Sequence, residues 1–303
     1  MIGGLVEIAD SGRHLSAYRG FLKVSEGTTE IGRVALEDID ALILSGPQIT
    51  LTKSLLARLA KQNSIIVVCG ENWHPLSMTL PYSGHYESAG ILQDQIQTSR
   101  PLQKRLWQQV VKAKLLNQQR VLHLAGARPE AVRELEIFGR RVRSGDPDNI
   151  EAQAARVYWP ALMGSDFRRR RDGATENAFL NYGYTILRAA MARAVCGTGL
   201  NPALGLHHRS RVNAFALVDD LMEPFRPLVD MLVRTRLLDK AESLGPPEKR
   251  LIAAILQEDM IGDHGRTPAV NGMARLAQSL SASLKKREAG LSIAEIRPDG
   301  QMI

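Results

Sequence analysis

The sequence predicts an α+β protein in which a small N-terminal β-rich domain precedes a larger all-α helical domain. Three observations carry this expectation. Through about residue 80, short apolar or alternating segments are separated by glycine and serine, the punctuation of strands and tight turns. From residue 86 onward, apolar residues recur at helical spacing. The charge balance changes along with the period. Residues 1–100 hold 8 Lys/Arg against 10 Asp/Glu, whereas residues 101–303 hold 31 against 22. The expected domains are therefore 1–85 and 86–303.

In the first domain, residues 5–9, 15–19, 21–25 and 30–36 read as strands, bounded by Ser11–Gly12, Gly20, Gly27 and Gly32. The short apolar runs 41–44 and 65–68 fit buried strands. Between them, Leu55, Leu56 and Leu59 mark a helix over 52–62. Residues 76–80 form a last strand, stopped by Pro81. Helices follow over 86–98 and 102–122, with Ser99 and Pro101 marking the break. Pro129 suits the start of a helix over 130–144. The turn Gly145–Asp146–Pro147–Asp148 leads to a helix capped by Asp148 or Asn149 and running to Met163. Further helices are expected over 175–196, 214–237 (disturbed by Pro224 and Pro227), 247–260 and 267–287.

Composition narrows the class. The chain is 44% hydrophobic and 23% charged, which are globular values, and its net charge is +7. A basic second part suits a polyanionic partner. Cys69 and Cys196 form neither a disulfide framework nor a C-x-x-C zinc motif, and both fit a reducing cytoplasm, with Cys69 read as a buried thiol. No apolar run approaches a membrane span, and the N-terminus lacks the basic and apolar regions of a signal peptide. There is no G-x-S-x-G, P-loop or H-E-x-x-H motif to support an unrelated hydrolase.

The chemistry concentrates in NPALGLHHRSRVNAFALVDDLMEPFR, residues 201–226. His207 and His208 follow Gly205. Arg209 and Arg211 come next, and then Asn213 as a candidate helix cap. Asp219, Asp220 and Glu223 share one helical face at spacings of three and four. Stacked like charges repel unless a cation, an arginine or a hydrogen-bond donor sits opposite. Carboxylates beside an imidazole suit Mg²⁺ or Mn²⁺, the imidazole tilting the choice toward Mn²⁺. The plain alternative is a solvated acidic face beside packed histidines. Spacing does not choose between His207 and His208, since adjacent side chains in an extended segment point opposite ways. Glu151, set among Ala152, Ala154 and Ala155, reads by itself as a first-turn carboxylate that offsets the helix dipole, worth about 0.3–1 kcal/mol.

Four segments together resemble a known family, the CRISPR-associated integrase Cas1, and most of all its type II branch. They are HPLSMTLPY at 74–82, PLQKRLWQQVVKAKLLNQ at 101–118, RSGDPDNIEAQAARVYWPAL at 143–162 and LNPALGLHHRSRVNAFALVDDLMEPFRP at 200–227. The resemblance covers nearly the whole chain. It implies that Glu151, His208 and Glu223 bind a divalent metal, Mg²⁺ or Mn²⁺, and are catalytic. His208 is preferred because Gly205–His208 matches the family's Gly-x-x-His. Glu223 is preferred because Asp-x-x-Glu-Pro-x-Arg-Pro matches the type II pattern, which leaves Asp219 and Asp220 as supporting candidates.

The resemblance also implies an activity and partners. The family inserts short DNA duplexes into a CRISPR array, its metal assisting attack of a 3′-OH on a phosphodiester. Expected partners are double-stranded DNA (protospacer and repeat), a second copy paired through the β-rich domain, and the small protein Cas2 in a heterohexamer. Phosphate contacts are expected from Arg209 and Arg211, and from Arg168, Arg169, Lys112 and Lys114. Arg226 is placed to pair with a carboxylate, and Trp107 and Trp159 are read as core. The rival reading is a non-catalytic nucleic-acid-binding scaffold, for which basic charge is the only motive.

Overall fold

Buried parallel strands need apolar residues on both faces, and the runs 41–44 and 65–68 supply them. The computed structural model describes residues 4–70, 75–79, 85–170, 176–208, 210, 212–238 and 240–300. The chain divides into two compact units, Met1–Tyr86 and Glu87–Ile303.

The first unit contains β1 (Gly4–Ile8), β2 (Arg13–Tyr18), β3 (Phe21–Glu26), β4 (Thr29–Ala35), β5 (Ile39–Leu44), β6 (Ile49–Leu51), α1 (Lys53–Lys61), β7 (Ile65–Cys69) and β8 (Pro75–Thr79). They form two four-stranded sheets, β1-β5-β7-β8 and β4-β3-β2-β6. In the first sheet β1, β5 and β7 are parallel, and β8 closes antiparallel on β7. Leu15 and Leu22 of one sheet, Leu42 of the other and Leu55 of α1 share one core. The β2–β3 hairpin turns at Arg19 and Gly20, both with positive φ, as a type I′ turn requires. Cys69 is half-buried at the end of β7, where the ladder with β8 slips register; this corrects the expectation of a buried thiol. Leu80 and Pro81 lie outside the described residues, as does part of the 74–82 motif.

The second unit contains α2 (Ser88–Gln97), α3 (Arg100–Leu124), α4 (Pro129–Arg141), α5 (Ile150–Met163), α6 (Glu176–Gly197), α7 (Ala216–Met222), α8 (Arg226–Leu232), α9 (Pro246–Ala253) and α10 (Ala269–Lys286). Three strands accompany them: β9 (Asp259–Gly262), β10 (Gly265–Pro268) and β11 (Glu295–Ile296). These strands pair antiparallel in the order β10-β9-β11, so the unit is mostly helical rather than all-α. The expected helix over 247–260 ends early for the same reason. After Ala253 a 3-10 turn leads into β9, and the β9–β10 hairpin turns at Gly265, where φ is +98°.

α3 is the central element. Ser99 caps it by accepting from Leu102 N, and it packs against α4, α5, α8 and the turn following α7. Its side chains also tie down the segment that carries β11. Gln109 Oε1 accepts from Leu291 N at 2.9 Å, and Asn117 Oδ1 accepts from Ile296 N at 2.8 Å. The helix expected over 214–237 is broken. α7 gives way to a 3-10 turn over Glu223–Phe225, then α8, then a π turn over Val233–Leu237. Pro224 has no N–H and its ring crowds the preceding turn, so the backbone tightens at Glu223. Asn117 Nδ2 donates to the Pro224 carbonyl at 2.8 Å and holds that turn against α3.

Candidate metal and DNA site

Glu151 stands in the first turn of α5, and the cap that starts this helix is Asp146. Its two carboxylate oxygens accept from Ile150 N at 2.8 Å and Glu151 N at 3.0 Å. This corrects the expected cap. Asn149 occupies the cap position in the left-handed region without a side-chain cap bond, and Asp148 is drawn away by the Arg143 guanidinium at 2.8 and 3.0 Å.

Glu223 reaches the same place from the turn after α7. Between them stands Lys114 of α3, its Nζ 2.5 Å from Glu151 Oε1 and 2.6 Å from Glu223 Oε2. The second oxygen of Glu223 meets Arg226 at 3.2 Å. Burial works to raise the Glu223 carboxyl, but the charges of Arg226 and Lys114 outweigh it and hold the group below the ordinary glutamate range. Burial likewise works to lower Lys114, and Glu223 and Glu151 outweigh it and keep the ammonium charged. Lys114 is therefore part of this ion-pair group rather than a surface phosphate contact. Its position on the inner face of α3 explains the difference, since Lys112, two residues earlier, is exposed.

The histidines diverge. His207 stacks flat on buried Trp107, ring centroids 4.5 Å apart, as a packing residue does. His208 Nδ1 lies 2.5 Å from Asp220 Oδ1. Asp220 is fully buried and also accepts from the backbone N–H groups of His207 (2.8 Å) and His208 (3.4 Å). A carboxylate that accepts from three N–H groups fixes the tautomer of His208 and leaves Nε2 for another partner. The Asp220 hydrogen bond, joined by the charges of Asp220, Glu223 and Glu151, raises the pKa of His208 against the opposing effect of burial.

Two further residues set this loop. Gly205 has no room for a Cβ, which would fall 2.4 Å from His208 O and 2.9 Å from Asp220 Oδ2. Gln95 of α2 exchanges two hydrogen bonds with the Asn201 backbone. Asp219 points elsewhere. The Arg188 guanidinium grips it at 2.7 and 3.0 Å and Asn213 Nδ2 donates to it at 2.8 Å. Asn213 is thus not the cap of α7, as expected from sequence; its Oδ1 accepts from Phe215 N in a local turn instead.

The donor set suits a hard divalent cation: two carboxylates from separate elements and an imidazole braced by a third carboxylate. Glu223 Oε2 is buried and, apart from its ion-pair contact with Lys114, accepts no hydrogen bond. Two oxygens sharing one ammonium at these distances lie at most about 5 Å apart, a gap that one cation closes with small side-chain shifts. As the side chains stand, no three His, Cys, Asp or Glu among the described residues converge tightly enough to hold a metal. Lys114 stands between the two glutamates. A cavity of about 490 Å³ opens beside His208, lined also by Gln95, Arg100, Gln103, Leu204 and Gly205. That is a usual size for a small-ligand pocket.

Among the other expected phosphate contacts, Arg168 is exposed after α5, with Nη1 donating to the carbonyls of Ser165 and Phe167. Arg169 is held by Asn177 and Asn181 and lies over Tyr184. Arg209, Arg211 and Arg171 lie outside the described residues. Arg226 pairs with Glu223, Trp107 is core, and Trp159 is half-buried against Tyr158. Sequence reasoning missed Asp146 and Gln95 as members of the site, and it gave Lys114 a phosphate-contact role without its two glutamate partners. The Lys-x-x-Asn-Gln spacing of α3 was the available signal for Lys114.

The fold and site define a two-unit α+β protein whose helical unit brings two carboxylates onto one lysine ammonium and holds a histidine against a buried aspartate. The family model for CRISPR associated protein Cas1 matches residues 6–245, and the chain belongs to that family. The CRISPR-associated endonuclease Cas1 of Neisseria meningitidis serogroup C is 41% identical over 226 residues, spanning 75% of this chain and 73% of that one. Among solved structures, a casposase bound to integration product superposes with a TM-score of 0.79 at 20% identity, over 95% of this chain and 92% of that one. A Cas6-RT-Cas1–Cas2 complex gives 0.74 at 18% identity, over 96% of this chain and 36% of that one. At these identities the two structures speak for the fold.

Proposed function

We propose that the protein is a CRISPR adaptation integrase, a DNA endonuclease and transesterase that joins the 3′-OH ends of short duplexes to a CRISPR array, with Glu151, His208 and Glu223 as its ligands for Mg²⁺ or Mn²⁺. The observation that carries this reading is the meeting of Glu151 and Glu223 on one cation position. Membership of the Cas1 family and the likeness to a Neisseria endonuclease Cas1 and to a casposase bound to integration product support the activity.

A divalent ion held there would supply charge neutralisation and Lewis acidity to phosphoryl transfer. The residues do the rest. Glu151 and Glu223 present oxygens from α5 and from the turn after α7. Asp220 orients the His208 ring, and Gly205 lets the loop approach closely enough for that bond. The cavity beside His208 offers room for the end of a DNA strand, with Arg100 at its wall. Exposed Arg168 and Lys112, together with Arg209 and Arg211, are proposed phosphate contacts.

The proposed partners are double-stranded DNA, a second copy through the β-rich unit, and Cas2; the likeness to a Cas1–Cas2 complex favours the last. Type II character is supported by the Neisseria match and by the Asp-x-x-Glu-Pro pattern at 220–224. A cytoplasmic location is part of the same proposal. Among the described residues no helix is long and apolar enough to cross a membrane.

The test is strand transfer from a labelled duplex into repeat-containing DNA with Mn²⁺, Mg²⁺ or EDTA. Joining is expected with either ion and not with EDTA, and Glu151→Gln, His208→Ala and Glu223→Gln each abolish it while still binding DNA. Wild-type joining in any one variant removes that residue from the site, and joining in EDTA removes the metal.

A further inference from the structure

Lys114 has a feature that a routine structural ion pair lacks. Its ammonium bridges two carboxylates from different elements, both of them proposed metal ligands. Its side chain is 13% exposed and that of Glu223 is 7% exposed, so the contact is largely out of water. Taking charges out of water costs several kcal/mol per ion and is offset only by good pairing. Lys114 donates a hydrogen bond to Glu151 Oε1, and the same ammonium stands 2.6 Å from Glu223 Oε2, a buried oxygen with no other hydrogen-bond partner. Asn117, one turn along α3, fixes the backbone of the turn that carries Glu223, so the carboxylate position does not depend on Lys114 alone.

From this geometry we infer that Lys114 is a built-in placeholder for the divalent cation. Its ammonium holds Glu151 and Glu223 converged until a metal arrives, and it then gives way, so metal and Lys114 compete for the same two oxygens. This rests on the reading of Glu151 and Glu223 as metal ligands. Charge counting favours exchange over coexistence. Glu151, Glu223, Lys114 and Arg226 form a formally neutral group. Adding a divalent ion to all four leaves a charge of +2 in a half-buried place. Exchanging Lys114 for the ion leaves +1, which matches one phosphodiester. Lysine suits the role because its charge is compact and sits on a flexible stem, whereas the arginine fork locks onto carboxylates.

The test measures Mn²⁺ affinity of the full-length protein, from the electron paramagnetic resonance signal of free Mn²⁺, alongside melting temperature in EDTA and in saturating Mn²⁺. Lys114→Met is expected to bind Mn²⁺ about tenfold tighter or more than wild type. It should melt lower than wild type in EDTA, and Mn²⁺ should close the gap. Equal or weaker Mn²⁺ binding by Lys114→Met, with wild type binding normally, overturns the placeholder role and leaves the metal site standing. Absence of Mn²⁺ binding in both proteins overturns the metal reading itself, and the inference with it. Should Lys114→Met fail to fold in EDTA, Lys114→Arg decides: its fork is expected to weaken Mn²⁺ binding, and unchanged or tighter binding overturns the proposal.

Discussion

Asp220 Oδ1 lies 2.5 Å from His208 Nδ1, and the same carboxylate accepts from the backbone N–H groups of both His207 and His208. One buried side chain therefore sets both the path of the histidine loop and the tilt of the ring that the proposed chemistry uses. Asp220→Asn keeps the shape but replaces an acceptor oxygen with a donor. DNA joining is expected to fall about 10–100-fold, the usual cost of losing a carboxylate behind a ligating histidine. Joining rates and Mn²⁺ affinity measured side by side check this, and an unchanged affinity would mean that His208 takes its orientation from elsewhere.

Gly205 is where the loop comes too close for any side chain. Gly205→Ala must push the His208 carbonyl away from a contact of 2.4 Å, and backbone cannot yield as a flexible side chain does. The expected cost is about 1–3 kcal/mol of stability, read by urea unfolding. Joining should fall by up to about 100-fold, because an ångström of misplacement is enough.

Asn117 serves three backbone groups: the carbonyls of Pro224 and Ala294 and the N–H of Ile296. Asn117→Ala strands buried groups at both ends and should destabilise the helical unit by about 2–3 kcal/mol. Hydrogen exchange should show lost protection around Ile296. Protection equal to wild type would mean that the segment is held by Gln109, which accepts from Leu291 N, and by Arg120, which donates to the Ile296 carbonyl and the Glu295 carboxylate.

Asp230 is buried against the hydroxyls of Tyr158 (2.8 Å) and Tyr184 (2.5 Å). Burial lifts its pKa to about 6, with the tyrosine hydrogen bonds working against the rise. In the unfolded chain the group titrates near 3.9, so between about pH 4 and 6 the folded state holds the extra proton. Stability from this group is present below that window and is lost as pH rises through it, by about 3 kcal/mol in all. Asp230→Asn lacks this slope. Its stability relative to wild type should therefore rise by about 2 kcal/mol between pH 4.5 and 7.5 in denaturant titrations. A constant difference across that range would refute the raised pKa.

What could be read from the sequence follows its periodicities. The runs 41–44 and 65–68 announced buried strands, and the apolar stripe of 102–122 announced α3. The strands β9 and β10 were missed because each is four residues long, too short for alternation to outvote the helical spacing around it. The pair of glycines at 262 and 265 was the cue. In the site, Glu151 became visible only through family resemblance, since nothing local distinguishes a ligand from a carboxylate offsetting a helix dipole. Lys114 read as a phosphate contact because its partners come from 37 residues away on α5 and from the turn at Glu223. The choice between Asp219 and Asp220 hung on Arg188, a residue of α6 that no spacing rule connects to them.

The tie between Asn117 and Ile296 also sets an order of events during synthesis. The ribosome makes Ile296 some seventy residues after Glu223, roughly 4–15 s later at ordinary elongation rates. Through that interval the nascent chain already carries both glutamates, Lys114 and the histidine loop, but not the strand that helps Asn117 clamp the turn. Until that segment is translated, the turn carrying Glu223 has its tie to Asn117 without the second tie that joins Asn117 to Ile296.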